Sequence, residues 1–352
     1  MKKYLVVLPL VASCNQLSNN MDPERKVQSA HDALRSERQR NVMSTDIKCI
    51  KSIAVAGQGK NEDSDNKNDG PVYQYGDDSA AYAQQGTSIR LMIADGLGSN
   101  WEYAAKMSST MISYAIESNC TEPKKILKDA CSKAGPAFKK IIEEVGKKRL
   151  LEELEYYEEK LKDVTNPKDI KDYKKWVEEY KADLEDEEIL QLMGEGVGFE
   201  SHPPATTINI ATIDNGQLKW VNVGDSGLMV IRDKKIVHKS IQGRRNMYST
   251  DAVAIKKGKD VKEYTTISAT CSSDTFQLQT KDIVFLYTDG LTDNLSPGTI
   301  LQLINDNAKL PIPKIIKIVV DATVKASQGK RNASGFGGKK DDITALMYIH
   351  KD

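Results

Sequence analysis

The sequence predicts an α+β domain, and three observations carry that prediction. Short apolar runs at 206–213, 218–223 and 227–231 are separated by the turn signals Asp214-Asn215-Gly216 and Val223-Gly224-Asp225-Ser226, the signature of an antiparallel meander. Two further apolar strands, 283–287 and 343–349, flank a helical segment from 300 to about 326. Helices are therefore grouped apart from the strands, which argues against a doubly wound parallel sheet.

Composition sets the outer bounds. The 352 residues carry 50 Lys+Arg against 50 Asp+Glu, a balance from which no polyanion-binding field can be argued. With 39% hydrophobic and 28% charged residues, wholesale disorder and a multispanning membrane protein are both excluded. Cys14, Cys49, Cys120, Cys131 and Cys271 are widely spaced without a CxxC pair, so neither a zinc site nor a disulfide framework is signalled.

The elements follow in order. Residues 1–13 place two lysines before a short apolar run, the layout of a secretory signal and too short to span a membrane. The run ends in Val11-Ala12-Ser13-Cys14, which resembles the lipobox of bacterial lipoproteins, so a leader over 1–14 that exports the chain or anchors it to a membrane through Cys14 is one expectation. An ordinary signal or an organelle presequence is the other, with Arg25, Arg35, Arg38 and Arg40 downstream and a cytoplasmic or organellar protein as the result. Residues 15–50, rich in Asn, Ser, Gln and charge, read as a flexible tether before a domain over 51–352. Within it, 88–94 is a buried-strand candidate, 102–116 is helical by its apolar spacing, and 122–130 opens a helix with Pro123 at a favoured first position.

One segment breaks the pattern. Apolar positions at Leu154, Tyr157, Leu161 and Val164, then at Ile170, Tyr173, Val177, Tyr180 and Leu184, step by three and four through a Lys/Glu-rich background. Thr165-Asn166-Pro167 lies between the two runs, with Asn166 suited to cap a helix and Pro167 to start one. The expectation is a helical hairpin inserted at about 138–193, either a solvated excursion or a partner-binding or lid element.

The chemistry rests on scattered aspartates. Asp95 follows an apolar run and precedes Gly96; Asp289 follows another and precedes Gly290; Asp341 sits just before the last strand; Asp78 lies in Tyr75-Gly76-Asp77-Asp78-Ser79. A carboxylate at a strand end stands where a rigid scaffold meets a cleft, and a following glycine lets backbone approach a ligand closely. Hard oxygen donors without His or Cys select magnesium or manganese over zinc. Two such ions roughly 3.5 to 4 Å apart form the clamp used in phosphate chemistry.

This ordered series, Ala94-Asp95-Gly96, Thr206-Thr207 before a strand, Val223-Gly224-Asp225-Ser226-Gly227, Asp289-Gly290-Leu291 and Asp341-Asp342-Ile343-Thr344, resembles the metal-dependent 2C-type protein phosphatase (PPM) family. Likeness covers about 72–136 and 203–350, and is greatest to the mitochondrial and chloroplast branch with an ADGVGGW-like loop. The resemblance implies a four-layer α/β/β/α sandwich of two antiparallel sheets, with a pair of Mg2+ or Mn2+ ions at one end. It implies that Asp95 bridges the ions, that the Gly96 carbonyl ligates one, that Asp289 and Asp341 hold the other, and that Asp78 acts directly or through water. Asp77 and Asp78 match the family's opening acids; Asn61-Glu62-Asp63 is the alternative, set farther from Asp95. Asp225 and Asp293 are expected to tie down turns, and Thr206 and Thr207 to lie beneath the site.

The implied activity is phosphoprotein hydrolysis at serine and threonine by direct attack of a water bridging two cations, with a phosphorylated protein as substrate and no nucleic acid. Two departures stand out. No arginine precedes the opening acids, where many members grip the phosphate, and Arg90 is the nearby candidate; Leu97 stands where some eukaryotic members have a histidine. A catalytically weak binding protein acting through the helical insert is the rival reading. Gly224-Asp225-Ser226-Gly227 also spells the surroundings of a trypsin-like nucleophile, but His31, His202, His238 and His350 lack the contexts such a triad needs.

Overall fold

The computed structural model describes residues 46–351 apart from 51, 60–71, 86, 98–100, 196–202, 243, 247–248, 251, 258–263, 269–270 and 334. The leader with Cys14, nearly all of the tether, and Glu62 and Asp63 fall outside the described residues.

In chain order the first strands are β1 (Asp46–Ile50), β2 (Ile53–Gln58), β3 (Val72–Tyr75), β4 (Asp78–Gln85) and β5 (Ser88–Leu97). Four helices follow: α1 (Trp101–Glu117), α2 (Pro123–Asp163), α3 (Pro167–Asp183) and α4 (Glu187–Glu195). Next come β6 (Ala205–Thr206), β7 (Ile208–Asp214), β8 (Gln217–Val223), β9 (Gly227–Arg232), β10 (Lys235–Lys239), β11 (Arg244–Asn246), β12 (Ser249–Thr250), β13 (Val253–Lys257), β14 (Tyr264–Ser268) and β15 (Ser272–Gln277). The chain closes with β16 (Ile283–Tyr287), α5 (Asp289–Thr292), α6 (Pro297–Asp306), α7 (Ile312–Ser327) and β17 (Ile343–Ile349).

Among the described residues all pairings are antiparallel: a six-stranded sheet ordered β1-β2-β17-β16-β9-β10, a nine-stranded sheet made of the path β14-β13-β6-β5-β7-β8-β15 with β3 and β4 attached through β5, and a separate β11-β12 pair. Period-two alternation builds the layers. In β5, Leu91 and Ile93 face the other sheet while Met92 and Ala94 face α1 and α2; in β16, Val284 and Leu286 face inward while Phe285 and Tyr287 meet α6 and α7. The result is the expected α/β/β/α sandwich.

Several boundaries differ from expectation. The last five tether residues, Asp46–Ile50, pair with β2, so the domain starts before 51; a five-residue edge strand gives too short a pattern to read from sequence. The stretch from 300 onward divides into α6 and α7 around Pro311, which caps the second helix. Helix α2 is a single 41-residue helix through Pro136. Its first half packs Ile126, Ala130, Phe138, Ile142 and Val145 on the sheet, and its second half packs Leu150, Leu154 and Tyr157 on α3. The insert therefore leaves the body after Val145, not at 138. The turn itself forms as expected, with the Asn166 side chain accepting a 3.0 Å bond from the Lys168 N–H and Pro167 opening α3. A third helix, α4, returns parallel to α2, with Glu143 paired to Gln191 and Arg149 donating to the carbonyls of Met193 and Gly194.

Candidate metal centre

The same end of the sandwich collects the start of β4, the end of β5, the β8–β9 turn, the end of β16 and the start of β17. Register sets Asp78 opposite Asp95. Gly76 makes the approach possible: its φ of +67° is left-handed, and a Cβ there would lie 2.2 Å from the Asp342 carboxylate. That carboxylate accepts a 2.8 Å bond from the Asp77 N–H, fixing the β3–β4 turn against β17.

Asp95 is gripped through its backbone. The Thr206 hydroxyl donates to its carbonyl at 2.8 Å, the Thr207 N–H donates to the same oxygen at 2.9 Å, and the Asp95 N–H donates to the Thr207 hydroxyl at 3.1 Å. The two threonines thus lie where expected and aim the carboxylate. Gly96 admits no side chain, since a Cβ would sit 2.3 Å from the Ala104 carbonyl, and its N–H donates to the Asp77 carbonyl at 3.1 Å. Asp78 accepts a 2.8 Å bond from the Thr288 hydroxyl, which in turn accepts one from the Thr344 N–H at 3.0 Å, joining the two sheets at the site.

Asp95, Asp225 and Asp289 are buried, and one carboxylate oxygen from each lies within 4.8 Å of the others, a spacing one cation could fill. Asp225, expected to tie down a turn, stands in this cluster. Its place after β8, followed by a small hydroxyl residue, was the available signal. The Asp293 carbonyl accepts from the Gly337 N–H at 3.1 Å, which ties the loop before β17 to the end of α5. Asp289 and Asp341 are linked by an element the sequence reading missed, the Lys339 ammonium, 2.7 Å from Asp289, 2.9 Å from Asp341 and 2.8 Å from Asp293. Arg90 is not at this site; it bonds carbonyls at the far end of α1.

Electrostatics matches the crowding. Burial, then Asp342, drives the Asp78 carboxyl well above its ordinary value despite the Thr288 bond. Burial, then Asp78, does the same to Asp95. Burial and Asp341 push Asp289 up to about 6, with Lys339 opposing them. Burial disfavours the Lys339 ammonium, but Asp289 and Asp341 outweigh it and raise its pKa. Anions so placed call for cations. An all-oxygen donor set with neither His nor Cys fits hard divalent ions.

A two-sheet sandwich with a cleft of buried carboxylates at one end is the class that fold and site define. The family model for stage II sporulation protein E matches residues 201–350. "Protein phosphatase PTC7 homolog fig" of Drosophila simulans is 30% identical over 153 residues, 37% of this chain and 47% of that protein. "Protein phosphatase 2C homolog 7, mitochondrial" of Saccharomyces cerevisiae is 27% identical over 190 residues, 47% of this chain and 52% of that protein. These matches make the chain similar, over its C-terminal part above all, to metal-dependent 2C-type (PPM) protein phosphatases. It spans about half the length of the curated relatives it matches.

Proposed function

We propose that this chain is a protein serine/threonine phosphatase working with two Mg2+ or Mn2+ ions. The observation that carries the reading is the convergence of buried Asp95, Asp225 and Asp289 within 4.8 Å, with Asp78 opposite Asp95 in register and Asp341 sharing the Lys339 ammonium with Asp289. Asp95 and Asp289 would be the central ligands, Asp78, Asp341 and the Gly96 carbonyl would complete the set, and Asp225 joins it on geometry. When bound, the ions supply Lewis acidity that lowers the pKa of water and offsets phosphoryl charge.

The protein's own part is to place the donors. Thr206 and Thr207 hold Asp95, and Thr288 holds Asp78, so the cleft is preorganised for charge and needs little rearrangement. Arg90 is engaged elsewhere, which leaves the ions as the main candidates for phosphate binding. The relatives' names favour a phosphoprotein substrate, and the yeast relative's name an organellar setting. Asp95→Asn and Asp289→Asn are each expected to lower manganese-dependent phosphate release from a phosphothreonine peptide by about a thousandfold or more. Activity within a few-fold of wild type in either variant would sink the assignment. Absence of both metal binding and activity in the wild type would favour the binding-protein alternative.

A further inference from the structure

Lys339 reaches the cleft from a loop that leaves it little choice. The Asn294 side chain clamps its backbone, with Nδ2 donating to the Lys339 carbonyl at 2.9 Å and Oδ1 accepting from its N–H at 3.2 Å. The Gly337 N–H binds the Asp293 carbonyl two residues earlier. So anchored, the side chain puts one ammonium within 2.7–2.9 Å of three carboxylates, two of them expected metal ligands. Its neighbour Lys340 carries the same charge but is exposed.

We propose that Lys339 is the resident counter-cation of the cleft, holding Asp289 and Asp341 together in the metal-free protein and yielding them when divalent ions enter, so that it sets the strength of metal binding. The inference rests on the metal reading of the cleft. An ammonium and a divalent ion compete for the same oxygens, because each charge-assisted bond to a carboxylate occupies electron density that a ligand bond needs. Asp293, outside the expected ligand set, gives the displaced ammonium a partner to keep. By linkage, a group that stabilises only the metal-free state weakens metal binding by the same factor.

The test compares Lys339→Gln with Lys340→Gln, which removes the same charge from the surface. Manganese is titrated calorimetrically into each metal-free protein, and melting is followed in EDTA and in saturating manganese. The expected result is manganese affinity higher by about tenfold or more in Lys339→Gln, near wild type in Lys340→Gln, and a melting temperature for Lys339→Gln lowered in EDTA but restored by manganese. Unchanged or weaker affinity in Lys339→Gln, equal tightening in Lys340→Gln, or an equal melting loss with and without manganese would each overturn the proposal while leaving the metal reading standing. A wild-type protein that binds no manganese would overturn both.

Discussion

At the level of single residues, Asp289 is where opposing demands meet. Burial and Asp341 raise its carboxyl from an ordinary value near 4 to about 6, so in the metal-free fold it keeps a proton that the unfolded chain has already lost. The folded state then binds more protons over that interval, and stability falls as pH rises through it. Asp78 and Asp95 are raised too, so they act in the same direction. In EDTA the melting temperature is expected to fall between about pH 4 and 6, with Asp289 contributing no more than about 3 kcal/mol. Saturating manganese should flatten or reverse that trend, since ions replace the protons. A metal-free protein that gains stability across this window would contradict the account. Asp78, Asp95, Asp289 and Asp341 were legible in the sequence because each stands at a strand end beside a glycine or a second acid. Asp225 was read only as a turn former, and Lys339 passed unnoticed, since nothing local distinguishes a lysine in Gly337-Gly338-Lys339-Lys340 from a solvated one.

Among the elements, α1 shows how a strand residue completes a helix. Its last turn has no basic residue of its own. Arg90 of β5 supplies the charge, donating to the carbonyls of Ala115, Ile116, Ser118 and Cys120 at 2.7–3.0 Å. Those carbonyls have no partners within the helix, and the negative end of its dipole attracts the guanidinium. Arg90→Met should cost about 2–4 kcal/mol in denaturant unfolding, while calorimetric manganese affinity changes little because the bonds lie at the end of α1 remote from Asp95. A loss below about 0.5 kcal/mol would mean that water replaces the guanidinium freely. Element type was readable wherever the period was long: α1, the second half of α2 and α3 all show the three-and-four step. Their limits were not, because the same step carries α2 from one core into the next without a break.

Across the whole molecule, the insert is a second, small body grown from α2. Its buried residues Leu150, Leu154, Tyr157, Val177 and Tyr180, with Tyr173 and Trp176 packed against them, form a cluster separate from the three that build the sandwich. Much of its charge is compensated locally, as between Lys148 and Glu152, Lys175 and Glu179, and Lys181 and Glu158 across the hairpin. The base is keyed to the body: α4 presses against α2 at Gly146, where a Cβ would lie 1.8 Å from the Leu190 carbonyl, and the Tyr103 hydroxyl of α1 donates to the Gly194 carbonyl. The Lys181 ammonium and the Glu158 carboxylate pair at 3.2 Å, so the two helices run side by side there, and a Gly-Ser linker can join them in place of the tip beyond. With Tyr156→Ser and Tyr157→Ser to cover the rings left behind, the shortened protein should stay folded and hydrolyse para-nitrophenyl phosphate with manganese within about threefold of the full chain, as expected for independent sites. A selective fall in turnover of phosphoproteins would assign the tip to substrate choice. Loss of the small-ester activity in a protein that still melts cooperatively would instead show that the insert shapes the metal cleft through α4 and Tyr103, and would overturn the view that its core is independent.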